Sequence, residues 1–226
     1  DVTAATLRKA GFLARTLKGA GFTAAELKDV GYNVKDLYAG GSGCNWAELR
    51  AVGFSAKQMR QVGSTAKQLM AAKFTLDDLK NAGLKPKELR QVNFTALQLE
   101  QHGFTAPELR AGGFTAQELK ETSFEAQELL SGGFTVEEMR KGNFSAEDIK
   151  QAGATPKEMK AGGFEASMLR SVGCTGEELK VAGFTPVELR EAEFSAKELG
   201  FAGFTGAQLK TASSEAPEAV PEAASK

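Results

Sequence analysis

Apolar and polar positions recur along this chain with a period of ten. With GFTAxELKxA as the unit and its positions numbered as slots one to ten, slot seven falls at Leu7, Leu17, Leu27 and Leu37. After two extra residues near Gly41 it falls at Leu49 and at every tenth residue to Leu209, which makes twenty-one units. Slot seven is Leu throughout except at Met59, Met139, Ile149 and Met159, and fourteen of the 15 Phe residues occupy slot two, so both slots are core positions. On a helical wheel of ~100° per residue, slots seven, ten and four form one apolar arc, with five and nine opposite and six and eight on its edges.

The polar slots mark where each helix begins and ends. Ser, Thr or Asn fills slot three in most units, with Glu, Asp or Gln three residues later, the spacing of a capping box at a helix N-terminus. The Phe before the cap and the Leu at slot seven are then the two halves of a hydrophobic staple. Pro86, Pro156 and Pro186 stand at the first helical position, where a missing N–H costs little. Lys or Arg at slot eight complements the C-terminal end of the helix dipole. Gly at slot one supplies the left-handed residue that stops the helix, and Asn93 and Asn143 are the next best residues for positive φ. Each unit is predicted to be a two-turn helix and a tight turn.

A helix this short is well below the ~12 to 15 residues needed for marginal stability alone, so the units must stack. The expected fold is therefore an all-α solenoid with Phe and Leu inside, small Ala, Gly and Val at the stacking contacts, and slots five and nine outside. Each buried Phe contributes roughly 1.5 to 3 kcal/mol. The slot-eight exceptions Tyr38, Met70, Glu100 and Leu130 lie in every third unit, with Gly200 out of step, which points to about three units per superhelical turn. An antiparallel zigzag of helix pairs would require a twenty-residue alternation that the sequence lacks. Slots six and eight flank the apolar arc, so stacking should bring the acid of one layer toward the base of the next.

Over residues 3–212 the chain resembles the decapeptide-repeat proteins, whose unit reads GF(S/T)AxEL(K/R)xA. The resemblance implies a short-helix repeat scaffold. It carries no named activity and no functional residues to this chain.

Composition narrows the function classes. A net charge of -1 gives no global pull toward nucleic acid or membrane, and the 42% hydrophobic content suffices for a sizeable core. The Lys/Arg ladder at slot eight could track a phosphate backbone, but interlayer pairing is the stronger reading and nucleic acid is not the expected partner. No apolar run reaches the ~20 residues of a transmembrane helix. His102, the single histidine, sits in slot ten among stacking residues, and Cys44 and Cys174 replace Phe in slot two as small core residues. No catalytic residue, metal cluster or cofactor motif is recognisable, and the runs GAGF and GGF are helix stops rather than phosphate loops. The chain is not expected to be an enzyme.

Three departures from the pattern complete the sequence reading. The stretch YAGGSGCNW carries the phase break at 41–42, with Trp46, Tyr32 and Tyr38 in it or beside it, and these three aromatics are the candidate partner-binding residues. Trp46 occupies slot four, where Ala is usual, so its indole must protrude or fill the gap opened by the insertion. Gly112, Gly132, Gly142 and Gly162 crowd slot ten, a sign of closer packing or of simple tolerance. Residues 1–212 are expected to form the solenoid and 213–226 a disordered Ala/Pro/Glu tail. An intracellular setting is expected; the chain begins at Asp1 rather than Met, as a processed or excised segment would, which leaves an organelle open. The expected function is a non-enzymatic protein-interaction or assembly scaffold, monomeric or associating end to end. The alternatives are a structural spacer or accessory subunit of a large complex, and then a nucleic-acid backbone binder.

Overall fold

The computed structural model describes residues 3–38 and 43–214, the side chains of 211–214 apart. Among the described residues there are twenty-one short α-helices and no strand, from Ala4–Lys9 to Gly206–Ser214, one helix for each ten-residue unit. The two extra residues of the phase break lie outside the described residues. The last helix reaches Ser214, two residues into the segment expected as tail, and 215–226 also lie outside the described residues.

The helix ends follow from local hydrogen bonding. At Ala24–Asp29 the Thr23 hydroxyl accepts the Glu26 N–H at 3.2 Å, while the Glu26 carboxylate accepts the Thr23 N–H at 2.8 Å. The same reciprocal pair opens the helices capped by Asn45, Thr75, Thr115, Ser145 and Thr185. At the other end, Phe134 N–H donates to the Leu129 carbonyl and Gly133 N–H to the Leu130 carbonyl, both at 3.0 Å. These two bonds close the helix with Gly133 at φ +90°, where a glycine avoids the Cβ penalty. Lys73, Asn93, Asn143 and Glu193 take the same left-handed conformation at slot one without that freedom. Among the described residues Ser123 is the slot-one residue that does not: the helix before it stops early at Leu119, and the Thr122 hydroxyl closes the turn onto the Leu119 carbonyl.

The described residues group into two compact units, one within Asp1–Phe104 and Ala111–Gly113, the other within Thr105–Arg110 and Phe114–Lys226. Both follow the wheel. Leu at slot seven is fully buried from Leu27 to Leu199, Phe at slot two is mostly buried, and slots five and nine face out. In each unit the strongest helix packing is between one helix and the second one after it, as for Ala56–Gln61 with Leu76–Asn81 and for Pro186–Glu191 with Gly206–Ser214.

That packing brings slot four of one repeat against slot ten of the repeat two further on. A Cβ added at Gly142 would lie 2.7 Å from the Gln117 backbone nitrogen, and one at Gly162 would lie 2.5 Å from Val136 Cγ1. At these two positions the slot-ten glycines are needed for close approach and are not merely tolerated. The third repeat on meets the slot-eight side chain, so each unit packs against both the second and the third repeat on.

Candidate interaction surface

Slot eight binds each layer to the next. In the first compact unit Lys80 Nζ donates to the carbonyls of His102 at 2.5 Å and Gly103 at 2.9 Å, and lies 4.9 Å from the Phe104 ring centroid. In the second, Arg170 donates to the Ala192 carbonyl at 2.7 Å and sits 4.6 Å from the Phe194 centroid. The cation therefore satisfies the free carbonyl end of the helix two repeats on and covers the aromatic ring three repeats on. Slot eight lies in the last turn of its own helix, as expected, and in addition its side chain, on an edge of the apolar arc, points across the layer, where a neighbour's helix ends.

The acid of the layer above completes the contact. Arg60 pairs with Glu88 at 3.0 Å, Arg110 with Glu138 at 3.2 Å, and Lys160 with Glu188 at 3.2 Å, each joining slot eight to slot six three repeats on. The same carboxylates cap their own helices, so each is fixed from two sides. The backbone N–H of Thr135 does most to hold the Glu138 carboxyl below the usual carboxylate range; burial opposes it, and the hydrogen bond and charge of Arg110 add to the lowering. Burial pushes the Glu88 carboxyl up most, yet the hydrogen bonds from Arg60 and the Lys85 backbone outweigh it and leave the value lowered.

Two places lack both members of the cation–ring pair. In the first unit Tyr38 holds slot eight and Ser64 the corresponding slot two; in the second they are Leu130 and Ala154. Beside Leu130 and Ala154 the small side chains leave an open groove of about 620 Å³, also walled by Phe134, Val136 and Glu158. Beside Tyr38 an aromatic pair forms instead: its ring stacks on the Trp46 indole with centroids 3.8 Å apart and planes 28° apart. Ser64 is buried, and its hydroxyl has no hydrogen-bond partner among the described residues.

The three candidate aromatics are thus divided. Tyr38 and Trp46 come together, the first exposed and the second half-buried. Tyr32 does not join them. It is buried in the slot-two core, with its hydroxyl donating to the Phe12 carbonyl and the Arg8 guanidinium over its ring, so its candidacy as a partner contact is withdrawn. The reason is positional, because a Tyr in slot two is held where Phe is held elsewhere.

The remaining chemistry-bearing residues are structural in placement. Cys44 and Cys174 are both buried, and burial raises the Cys174 thiol pKa with Lys150 partly opposing it. His102 Nδ1 lies 2.6 Å from Asp77 Oδ1 on the exposed side. Among the described residues no group of His, Cys, Asp or Glu could hold a metal ion, and no helix is long and apolar enough to cross a membrane. Slots five and nine face outward, as do the stop and cap slots one and three, together with a few large apolar side chains. Val181 and Phe201 are 80% and 79% exposed, far more than any core position, and Leu97 and Met168 are also exposed.

Short capped helices, layered by a slot-eight cation and carrying their variation outside, define a tandem-repeat protein. Family models place it more closely: the decapeptide repeat region matches residues 43–116, 103–170 and 143–216, together more than half of the chain. The chain belongs to that decapeptide-repeat family. Comparison with curated proteins and with solved structures returns no significant match.

Proposed function

We propose that the array is a non-enzymatic scaffold that binds protein partners on its outer face. One observation carries this reading: slots five and nine face solvent while slots two, four, seven, eight and ten are taken up by stacking. A surface free to vary on a fixed frame is how repeat proteins hold partners, and exposed Val181, Phe201 and the Tyr38–Trp46 pair offer apolar anchors on it. The slot-eight ladder gives the nucleic-acid reading little support, because its donors are spent on carbonyls and carboxylates within the fold.

The test is affinity capture from the native source, followed by binding measurements with the purified partner. A stoichiometric partner whose affinity falls roughly tenfold or more with Phe201→Ser or Trp46→Ala is the expected result. Capture of nothing at stoichiometric levels would leave the spacer as the better reading, and turnover of a substrate by the pure chain would overturn both.

A further inference from the structure

One Phe stands outside slot two. Phe201 holds slot nine of the helix Ala196–Phe201 and is 79% exposed, and the Lys197 ammonium on the same helix lies 5.8 Å from its ring centroid. That separation is within cation–π reach. Lys197 is itself exposed and takes part in no ion pair among the described residues. This helix therefore displays to solvent a cation and a ring, the two groups that elsewhere meet between stacked repeats.

The second compact unit contains both this displayed pair and a place that lacks one. In an ordinary contact of that unit, the slot-eight Lys160 lies 4.2 Å from the centroid of Phe184 in slot two and 3.2 Å from Glu188 in slot six, both three repeats on. At the equivalent place Leu130 removes the cation and Ala154 removes the ring, but Glu158 keeps the acid. Its carboxylate accepts the Thr155 N–H and hydroxyl, each at 2.8 Å, and takes part in no ion pair among the described residues. The groove there measures about 620 Å³, against about 490 Å³ for the corresponding groove one repeat earlier, where Lys120 and Phe144 are present. It offers apolar walls from Leu130, Val136 and Ala154 beside a carboxylate that has no cation.

We propose that Lys197 and Phe201 of one copy of this chain dock in this groove of a second copy, with the ring against Leu130 and Ala154 and the ammonium on Glu158. A second copy is the occupant because its exposed pair supplies the two groups that the groove lacks. The spacing also agrees: at Lys160 one ammonium reaches a ring and the slot-six carboxylate together, so a cation held 5.8 Å from a ring in the Ala154 position is within range of Glu158. The displayed pair and the groove are different patches of the chain. The contact is therefore heterologous, and it propagates from copy to copy as a ring or an open chain. One aromatic anchor and one exposed ion pair make it weak and reversible. This inference goes beyond the scaffold reading, since the occupant is the chain itself, and its failure in pure protein would leave the capture experiment standing.

Sedimentation velocity on the full chain tests it, over concentrations up to about 1 mM. The wild type should form dimers and larger oligomers as its concentration rises. Phe201→Ser should stay monomeric with unchanged far-UV circular dichroism, because the side chain it alters is exposed. Leu130→Lys with Ala154→Phe restores the pair found in other repeats, fills the groove, and should also stay monomeric. An equimolar mixture of those two variants should give a 1:1 complex and nothing larger, because one retains the groove and the other the displayed pair. Glu158→Gln retains a capping side chain and removes the charge, so it should weaken association by about two- to fivefold, whether or not the filled groove folds. A wild type that is monomeric at every concentration would overturn the proposal. So would oligomers unchanged by Phe201→Ser or by Glu158→Gln, or a mixture that stays monomeric.

Discussion

Lys160 Nζ lies 4.2 Å from the centroid of the Phe184 ring while donating to the Gly183 carbonyl at 2.6 Å and to Glu188 at 3.2 Å. One side chain thus meets a ring, a helix end and a cap of the layer above. Lys160→Met keeps the aliphatic stem and removes the charge, and should destabilise by about 1 to 2 kcal/mol in urea unfolding. Lys157→Met, on the exposed slot five of the same helix, should change stability by less than about 0.5 kcal/mol. Equal losses at the two sites would mean that the slot-eight contacts contribute nothing specific.

Phe114 is buried and Gln117 three residues on is exposed. Phe114→Ala should cost roughly 3 to 5 kcal/mol as a core truncation, whereas Gln117→Ala should be nearly neutral. Chemical denaturation of both variants checks the assignment of inside and outside faces.

Glycine changes should divide by position. Gly142 has ordinary helical φ, so propensity alone favours Ala there by about 1 kcal/mol, but its new Cβ would fall 2.7 to 2.9 Å from the backbone of Ala116 and Gln117. Gly142→Ala should therefore destabilise by about 1 to 3 kcal/mol. Gly200→Ala meets nothing within 4 Å and lies inside the helix Ala196–Phe201, and should stabilise by roughly 0.5 to 1 kcal/mol. Lys73→Gly and Glu193→Gly relieve left-handed backbone at φ 68° and 64° and should each gain up to about 1 kcal/mol. Thermal melts of the four variants give the signs.

Acid should unfold the array through its caps. The Thr155 backbone and hydroxyl lower the Glu158 carboxyl pKa, and the Thr175 backbone and hydroxyl lower that of Glu178; burial opposes both weakly. Asp148 is lowered by Ser145 in the same way. A carboxyl whose folded pKa lies below its unfolded value, about 4.3 for Glu, contributes its full stability above that value and loses it as pH falls through the folded one. The melting temperature should stay level from neutral pH to about 5 and fall steeply below about 4. A melting temperature that rose on acidification would contradict the capping account.

The aromatic pair is open to a direct optical test, because Trp46 is the only tryptophan. Tyr38→Ala removes the ring stacked on it, and should shift Trp46 emission to the red and increase its quenching by iodide. Emission unchanged by that substitution would mean that the stack does not form in solution.

How much of this was legible in the sequence depends on the range of the interaction. Slot three as cap, slot one as stop, and slots two and seven as core could all be read at once, because capping, left-handed termination and the helical wheel act within one unit. The repeat length and the number of helices followed from the same local pattern. The reach of slot eight to the third repeat on was visible only indirectly, in the spacing of Tyr38, Met70, Glu100 and Leu130, because a periodic exception records a neighbour that the unit itself does not contain.

The sequence by itself determined the unit: where each helix starts, where it stops and which face it buries, since ten residues contain every group those choices involve. Only the tertiary structure decided which groups meet across layers. It placed Lys160 on Phe184, assigned Gly142 its close approach to Ala116, buried Tyr32 and set Tyr38 on Trp46. Each of those contacts joins residues from different repeats, and nearly identical units offer every such contact several equivalent partners. Stacking geometry selects among them, through the rise and rotation from one helix to the next, and no single repeat encodes that step.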